Sequence, residues 1–240
     1  MKLIVAGSTG FVATEIIRQA IRNPAITSII ALARRETVLD NGVDTSKLKS
    51  VICDDFINYS EEVKKELAGA DACIWTIAVT PSQLKSMTLE EVNKICYDYT
   101  VTGIETMSQL ASKEKPFRFI YISGENGERD QTKKPFIMGD YALIRGKAES
   151  YVLNYAKDSK GAVVACCAKS GLIDAPGRMT FAKSMLMAVV RAVVGLGKVQ
   201  VSEIAATLIN EAVNGIGKDT LLNEDLVRIG SGLLESQKTL

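Results

Sequence analysis

The stretch Leu3-Ile4-Val5-Ala6-Gly7-Ser8-Thr9-Gly10-Phe11-Val12-Ala13 decides the fold. Its first four residues are a short, continuously apolar run, as expected of a strand buried on both faces. Gly7 allows a tight turn, and Gly10 lets the backbone approach an anion with no Cβ in the way. From Phe11 the spacing becomes helical and runs to about Arg22, stopping before Pro24. Strand, glycine turn and helix start together aim free amides and the positive end of a helix dipole at one point, the arrangement a pyrophosphate needs. Small Ala13 permits close packing of that helix on the strand. Gly7, Ser8, Thr9, Gly10, Phe11 and Val12 are therefore candidate cofactor-binding residues.

The same alternation continues outward. Apolar runs at Ser28–Ala33, Ser50–Cys53, Ala72–Ile77, Phe117–Ile122 and Ala162–Ala168 read as further strands. Between them lie a helix with Ser60 as its cap, a long one over about Thr88–Ser112, and another over Gly139–Ala156. In the long helix Leu89, Val92, Cys96, Tyr99, Met107 and Leu110 share a stripe, so Tyr97 and Tyr99 read as packing residues. The pattern predicts an α/β fold: a Rossmann-type, doubly wound parallel sheet. No linker or repeat divides the first 170 residues, and residues 1–240 are expected to form one domain. Residues 1–171 are its core, and residues 172–240 a small C-terminal substrate-side or lid segment with closing elements.

In that last segment Asp174-Ala175-Pro176-Gly177 reads as a turn, and Ala182 to Val194 as a helix with a wide apolar face. That helix either covers the core, flaps over a substrate pocket or forms a dimer contact. Val199–Val201 reads as a strand, Ser202–Asn214 as a helix and Leu221–Leu234 as a closing unit.

Composition excludes several chemistries. With 29 basic and 28 acidic residues the net charge is +1, which predicts neither a nucleic acid nor a membrane surface as partner. There is no histidine, so Ser-His-Asp catalysis, histidine metal ligation and a histidine switch are all excluded. The five cysteines show no CxxC spacing, and most lie in apolar runs; they read as reduced core thiols of a cytoplasmic protein, with no metal site. The N-terminal apolar run is too short for a signal peptide, and Met185–Leu196 is too short to span a bilayer.

The second strand ends in Arg34-Arg35, where a site selective for NAD would place a carboxylate on the ribose 2′-hydroxyl. Two arginines suit a 2′-phosphate instead, through bidentate charge-assisted hydrogen bonds. The expected cofactor is NADP(H) in preference to NAD(H); the alternative is a pair of solvated loop arginines.

With these residues in view, the chain resembles the short-chain dehydrogenase/reductase superfamily, in its atypical, NmrA-like and NAD(P)-dependent epimerase-like branch. The resemblance runs from Met1 to about Gly171. It implies that Asp54-Asp55-Phe56 lie against the adenine, with Asp55 the contact, and that Thr76-Ile77-Ala78 lie along the ribose and phosphates. Lys169-Ser170-Gly171 stands where the family flanks the nicotinamide. Ser123, at the end of Ile120-Tyr121-Ile122-Ser123-Gly124, resembles the catalytic serine. Tyr141, in Tyr141-Ala142-Leu143-Ile144-Arg145, resembles the tyrosine of the YxxxK helix. The family's tyrosine donates a proton to a carbonyl oxygen as hydride arrives, its serine bonds the same oxygen, and its lysine holds the ribose and lowers the tyrosine pKa. Here the lysine position is Arg145, about 40° around the helix from Tyr141 and so on its face. Arg145 keeps the charge, but its planar fork holds a ribose differently. Lys147 lies on another face.

Three functions follow. The first is an NADP(H)-dependent oxidoreductase acting on a carbonyl or alcohol of a small, partly apolar molecule. The second is a non-catalytic NADP(H)-sensing regulator of NmrA-like type. The third is an isomerase, epimerase, lyase or cyclase on the same fold, with acid–base work falling to Tyr141, Lys169 or a carboxylate such as Asp174. The polar stretch Gly124–Pro135 reads as a lid or a solvated insertion. Two long helices on one side of such a sheet point to a homodimer.

Overall fold

In the computed structural model, which describes residues 1–39, 42–174 and 197–238, the opening run becomes strand β1 (Lys2–Ala6) and helix α1 (Phe11–Arg22). The other strands of the main sheet are β2 (Ser28–Ala33), β3 (Leu48–Ile52), β4 (Ala72–Trp75), β5 (Phe117–Gly124), β6 (Val163–Ser170) and β9 (Thr220–Leu221). Their order is β3-β2-β1-β4-β5-β6-β9, and every pair is parallel. All the strands therefore end at one edge. The order reverses at β1, so the gap beyond Ala6, Ala33 and Trp75 is the crevice where such sheets bind ligands.

Both faces of the sheet are buried, and successive residues alternate between them. Ile4, Leu32, Trp75, Phe119 and Tyr121 form one core with α2 (Glu61–Leu67), α4 (Tyr99–Leu110) and α5 (Gly139–Asp158). Leu3, Val5, Ile29, Ile74 and Ile120 form the other, under α1 and two C-terminal helices, α6 (Val201–Asn214) and α7 (Asn223–Lys238). All five cysteines are buried and free. No helix among the described residues is long and apolar enough to cross a membrane.

The strands and helices lie close to their expected places, and the departures have physical causes. β3 begins two residues earlier than its apolar run, because it is the edge strand and its half-exposed, alternating pattern does not read as continuous burial. β5 and β6 each run on past their apolar runs, pairing Ser123 with Lys169 and Gly124 with Ser170. The long helix starts as expected, with Thr88 and Glu91 in a reciprocal capping box. It then divides into α3 (Leu89–Asn93), a π-helical turn over Lys94–Asp98, and α4. The wide turn buries Cys96, whose sulfur accepts the amide of Val79 at 3.3 Å. Leu89, assigned to the buried stripe, is instead exposed.

The C-terminal part closes the main sheet as well as extending beyond it. Leu172–Asp174 forms strand β7, paired in parallel with β8 (Lys198–Gln200), so Asp174 ends a strand, and the rest of the expected turn, Ala175 to Gly177, lies outside the described residues. α6 then packs along α1, and β9 adds the last strand beside β6. The expected apolar helix Ala182 to Val194 lies outside the described residues.

The polar loop between β5 and α5 is fastened to the helix. The amide of Glu128 donates to the carbonyl of Ala142 at 2.9 Å, and Gly146 leaves room for the Glu128 backbone where any Cβ would collide with it. Alanine normally stabilises a helix interior relative to glycine by roughly 1 kcal/mol. Gly146→Ala should do the reverse, lowering stability by about 1–3 kcal/mol through the forced backbone shift; urea unfolding that shows a gain would refute this packing.

Candidate active site

The crevice beyond β1, β2 and β4 is a cleft of about 360 Å³. Its floor is the glycine turn. Gly7 has φ +83, a left-handed conformation, and its amide donates to Leu32 O at 2.8 Å. A Cβ on Gly7 would lie 2.5 Å from Thr76 Oγ1, which donates to Ala6 O at 2.8 Å and fills the space beneath the turn. Gly10, the N-cap of α1, has room for a Cβ only at 3.1 Å from Gly7 O. A turn closed this tightly from below leaves its open side to the cleft, and this is the fit a dinucleotide pyrophosphate requires.

Of the sequence-derived candidates, Gly7, Thr9, Gly10, Arg34, Arg35, Phe56, Thr76, Ile77 and Ala78 line this one cleft. Arg34 and Arg35 are exposed and pair with no acid among the described residues. The remaining candidates lie elsewhere. Ser8 is fully buried, and its hydroxyl bonds that of Thr37 at 2.6 Å, tying the turn to the loop after β2. Val12 packs into the core under α1, and Phe11 beside it is half-buried in the helix's first turn. Asp54 is exposed. The Asp55 carboxylate closes its own loop, accepting from Ile57 N and Asn58 Nδ2, each at 2.8 Å; those bonds hold its pKa below the usual carboxylate value.

Val79, Gln83, Met87 and Ile95, which were not singled out, also line the cleft, as does Tyr99, read from the sequence as a packing residue. Tyr99 does pack, with its ring 5.6 Å from that of Phe56, but the pair also forms a wall. Trp75 stands edge-on behind Phe56 at 6.0 Å.

Ser123, Tyr141 and Arg145 each have a different partner. The Tyr141 hydroxyl donates at 2.8 Å to the carbonyl oxygen of Val79, a residue of the cleft wall. Burial pushes its phenol pKa upward and the nearby Arg145 charge opposes this, so the group is protonated at neutral pH. Arg145 is buried; its Nη2 donates to Ile122 O at 2.6 Å and its guanidinium stacks 4.9 Å from the Tyr121 ring. Its Nε and Nη1 and the Tyr121 hydroxyl have no hydrogen-bond partner among the described residues.

Ser123 donates its proton to Glu149 Oε1 at 2.6 Å. Glu149 is completely buried and also accepts from Arg129 Nε at 2.7 Å and Lys169 Nζ at 3.1 Å. Lys169, a cofactor candidate, donates as well to Gly127 O at 2.6 Å and is absent from the cleft lining. This cluster ties α5, β5, β6 and the polar loop together. Glu149 lies four residues beyond Arg145, so its position on the inward face was the available signal.

A seven-stranded parallel sheet in this order, with a glycine turn at its switch point and helices on both faces, is the dinucleotide fold of the atypical short-chain dehydrogenase/reductases. The chain belongs to the 3-beta hydroxysteroid dehydrogenase/isomerase family, whose sequence profile matches residues 4–187. It is similar to the mitochondrial protein FMP52 of Candida albicans, 28% identical over 158 residues, which cover 66% of this chain and 63% of that protein. The match thus spans less than two thirds of that relative. Among solved structures, a dTDP-glucose 4,6-dehydratase of Streptomyces venezuelae, with NAD bound, superposes with a TM-score of 0.67 at 15% identity, covering 99% of this chain and 81% of that one. The PhqB reductase domain of Penicillium fellutanum gives 0.69 at 16%, covering 93% and 67%.

Removing the Glu149 charge would leave Arg129 and Lys169 facing each other across a buried gap. Glu149→Gln should therefore cost about 3–5 kcal/mol of stability, measured by denaturant unfolding; a loss below about 1 kcal/mol would show the cluster to be solvated like a surface pair.

Proposed function

We propose that this chain binds NADP(H), in preference to NAD(H), and is an oxidoreductase acting on the carbonyl or alcohol of a small molecule. The observation that carries this is the cleft itself. A left-handed glycine turn, the Arg34-Arg35 pair and the Thr76-Ile77-Ala78 segment share one cavity, with Val79, the partner of Tyr141, in its wall. The glycine turn suits the pyrophosphate, and the exposed arginines suit the additional 2′-phosphate. The dehydratase noted above has NAD bound, and the family is named for a dehydrogenase, both in keeping with a nicotinamide cofactor here. Five buried free thiols suit a reducing compartment, in our reading the cytoplasm.

Bound nicotinamide supplies or accepts the hydride. This chain's own part in the chemistry falls to Tyr141. Its phenol holds a proton at neutral pH, and exchanging Val79 O for a substrate oxygen would present that proton to the reacting carbonyl. Arg145 provides a fixed positive charge on the same helix face, favouring the phenolate left after transfer. Ser123 contributes less directly, because its proton is already given to Glu149. A second reading, a sensor that binds NADP(H) without turnover, is favoured by one observation: Arg145 spends a donor on Ile122 O behind the cleft wall, where the family's lysine would hold a ribose.

Tyr141→Phe separates the two. The oxidoreductase reading expects NADPH affinity within about twofold of wild type and turnover against a panel of aldehydes and ketones reduced by at least 100-fold. Because the phenol pKa is raised, the proton donor persists as pH climbs, and carbonyl reduction by the wild type should not fall between about pH 6 and 9. Absence of turnover by the wild type across the panel, with NADPH bound, would favour the sensor.

A further inference from the structure

Arg34 and Arg35 reach the cleft from the loop after β2, whereas the next residue, the acid Glu36, lines no part of it. All three are exposed, and so is Val38 beyond them. Thr37 is the one buried residue in the stretch 34–38. Its two hydrogen-bonding groups on this side of the residue go to different elements. The hydroxyl meets that of Ser8 at 2.6 Å, inside the glycine turn, and the amide donates to Ser50 Oγ on β3 at 2.9 Å. Ser8 is itself fully buried, and its amide donates to Leu32 O near the end of β2 at 3.3 Å. A loop otherwise carried by solvent is thus pegged at a single residue, between the turn that suits the pyrophosphate and the edge strand.

The peg decides which charge meets the ribose. Guanidinium groups suit a 2′-phosphate, and a carboxylate at the end of this strand suits a free 2′-hydroxyl. Arg34, Arg35 and Glu36 are consecutive, so a small change in the path of the loop exchanges one kind of group for the other. Long arginine side chains also lose much rotamer freedom on binding, and they bind a phosphate well only if the backbone carrying them is ordered beforehand. Nothing else between residues 34 and 38 is buried to supply that order.

We infer that Thr37 is a specificity-determining positioning residue: through Ser8 and Ser50 it holds Arg34 and Arg35 in the cleft wall and Glu36 outside it, and so sets the preference for NADP(H). This assignment rests on the proposed reading that the two arginines take the 2′-phosphate. Thr37 does not line the cleft, so it acts through its neighbours and touches no part of the nucleotide. NADH is the internal control, because it shares every part of NADPH except that phosphate.

The test uses the whole chain, with quenching of Trp75 as the signal for NADPH and NADH titrated separately. Thr37→Val keeps the branched shape and the amide bond to Ser50 but removes the hydroxyl; Thr37→Ser keeps the hydroxyl. Ser50→Ala releases the amide instead, and carries the test if the buried change at Thr37 unfolds the chain. The preference for NADPH over NADH should fall by about fivefold or more in Thr37→Val and in Ser50→Ala, through weaker NADPH binding alone, and Thr37→Ser should stay within about twofold of the wild type. In an Arg34→Ala/Arg35→Ala background, Thr37→Val should change neither affinity, because a residue that acts only through the arginines has nothing left to position. An unchanged preference in the folded variants overturns the assignment. So does an equal loss of both nucleotides, the result expected if Thr37 merely supports the glycine turn. A wild type that binds NADPH no better than NADH overturns the 2′-phosphate reading itself, and the role of Thr37 with it.

Discussion

The left-handed backbone of Gly7, closed from beneath by the Thr76 hydroxyl, is the constraint on which the site depends. It lets β1 end and α1 begin within four residues, with the helix N-terminus turned toward the crevice. The bond from Thr76 to Ala6 O joins the end of β4 to the end of β1 at the switch point. The two strands on either side of the reversal thereby share one rim. Arg34, Phe56 and Ala78 come to the same cavity because parallel pairing delivers every strand end to the same edge.

Behind that rim, the polar groups expected to do chemistry are bound into the scaffold. Ser123 serves Glu149, Lys169 serves Glu149 and Gly127, and Arg145 serves the β5 backbone. A carboxylate with no exposure, flanked by two cations and a hydroxyl, is stable only while every partner stays in place. The polar loop after β5 is consequently anchored through Arg129 and Glu128 to α5, and its charge content reflects that anchoring as much as solvation. Tyr141 alone among the three catalytic candidates makes its bond to a residue of the cleft wall.

Much of this was legible in the sequence, for identifiable reasons. Continuous apolar runs and the glycine turn reveal the parallel sheet, since both follow from local burial and backbone freedom. The Ser60 cap is equally local and forms as expected. The edge strand β3 was placed two residues late, because half its side chains face solvent. The π-turn that buries Cys96 was invisible, since its residues also fit ordinary helical spacing. At the site, Gly7, Arg34, Phe56 and Thr76 come to one cleft because they follow strand ends, whereas the side chains of Ser8, Asp55 and Lys169 are engaged elsewhere. The Ser8 and Lys169 side chains are taken by Thr37 and Glu149, pairings that depend on tertiary contacts, and the Asp55 carboxylate is taken by the amide of Ile57 within its own turn. Arg129 and Glu149 are 20 residues apart and meet only because the loop folds back on α5.

The central claim, that the crevice takes NADP(H) and that its arginines read the 2′-phosphate, is tested most directly by titrating the wild type and an Arg34→Ala/Arg35→Ala variant with NADPH and with NADH. Trp75, one ring behind the cleft wall, reports binding by quenching and by energy transfer to the reduced nicotinamide. The account predicts that the wild type favours NADPH by at least tenfold, about 1.4 kcal/mol, and that the variant loses this preference while binding NADH as before. No response to either nucleotide, or a wild type that prefers NADH, would contradict it.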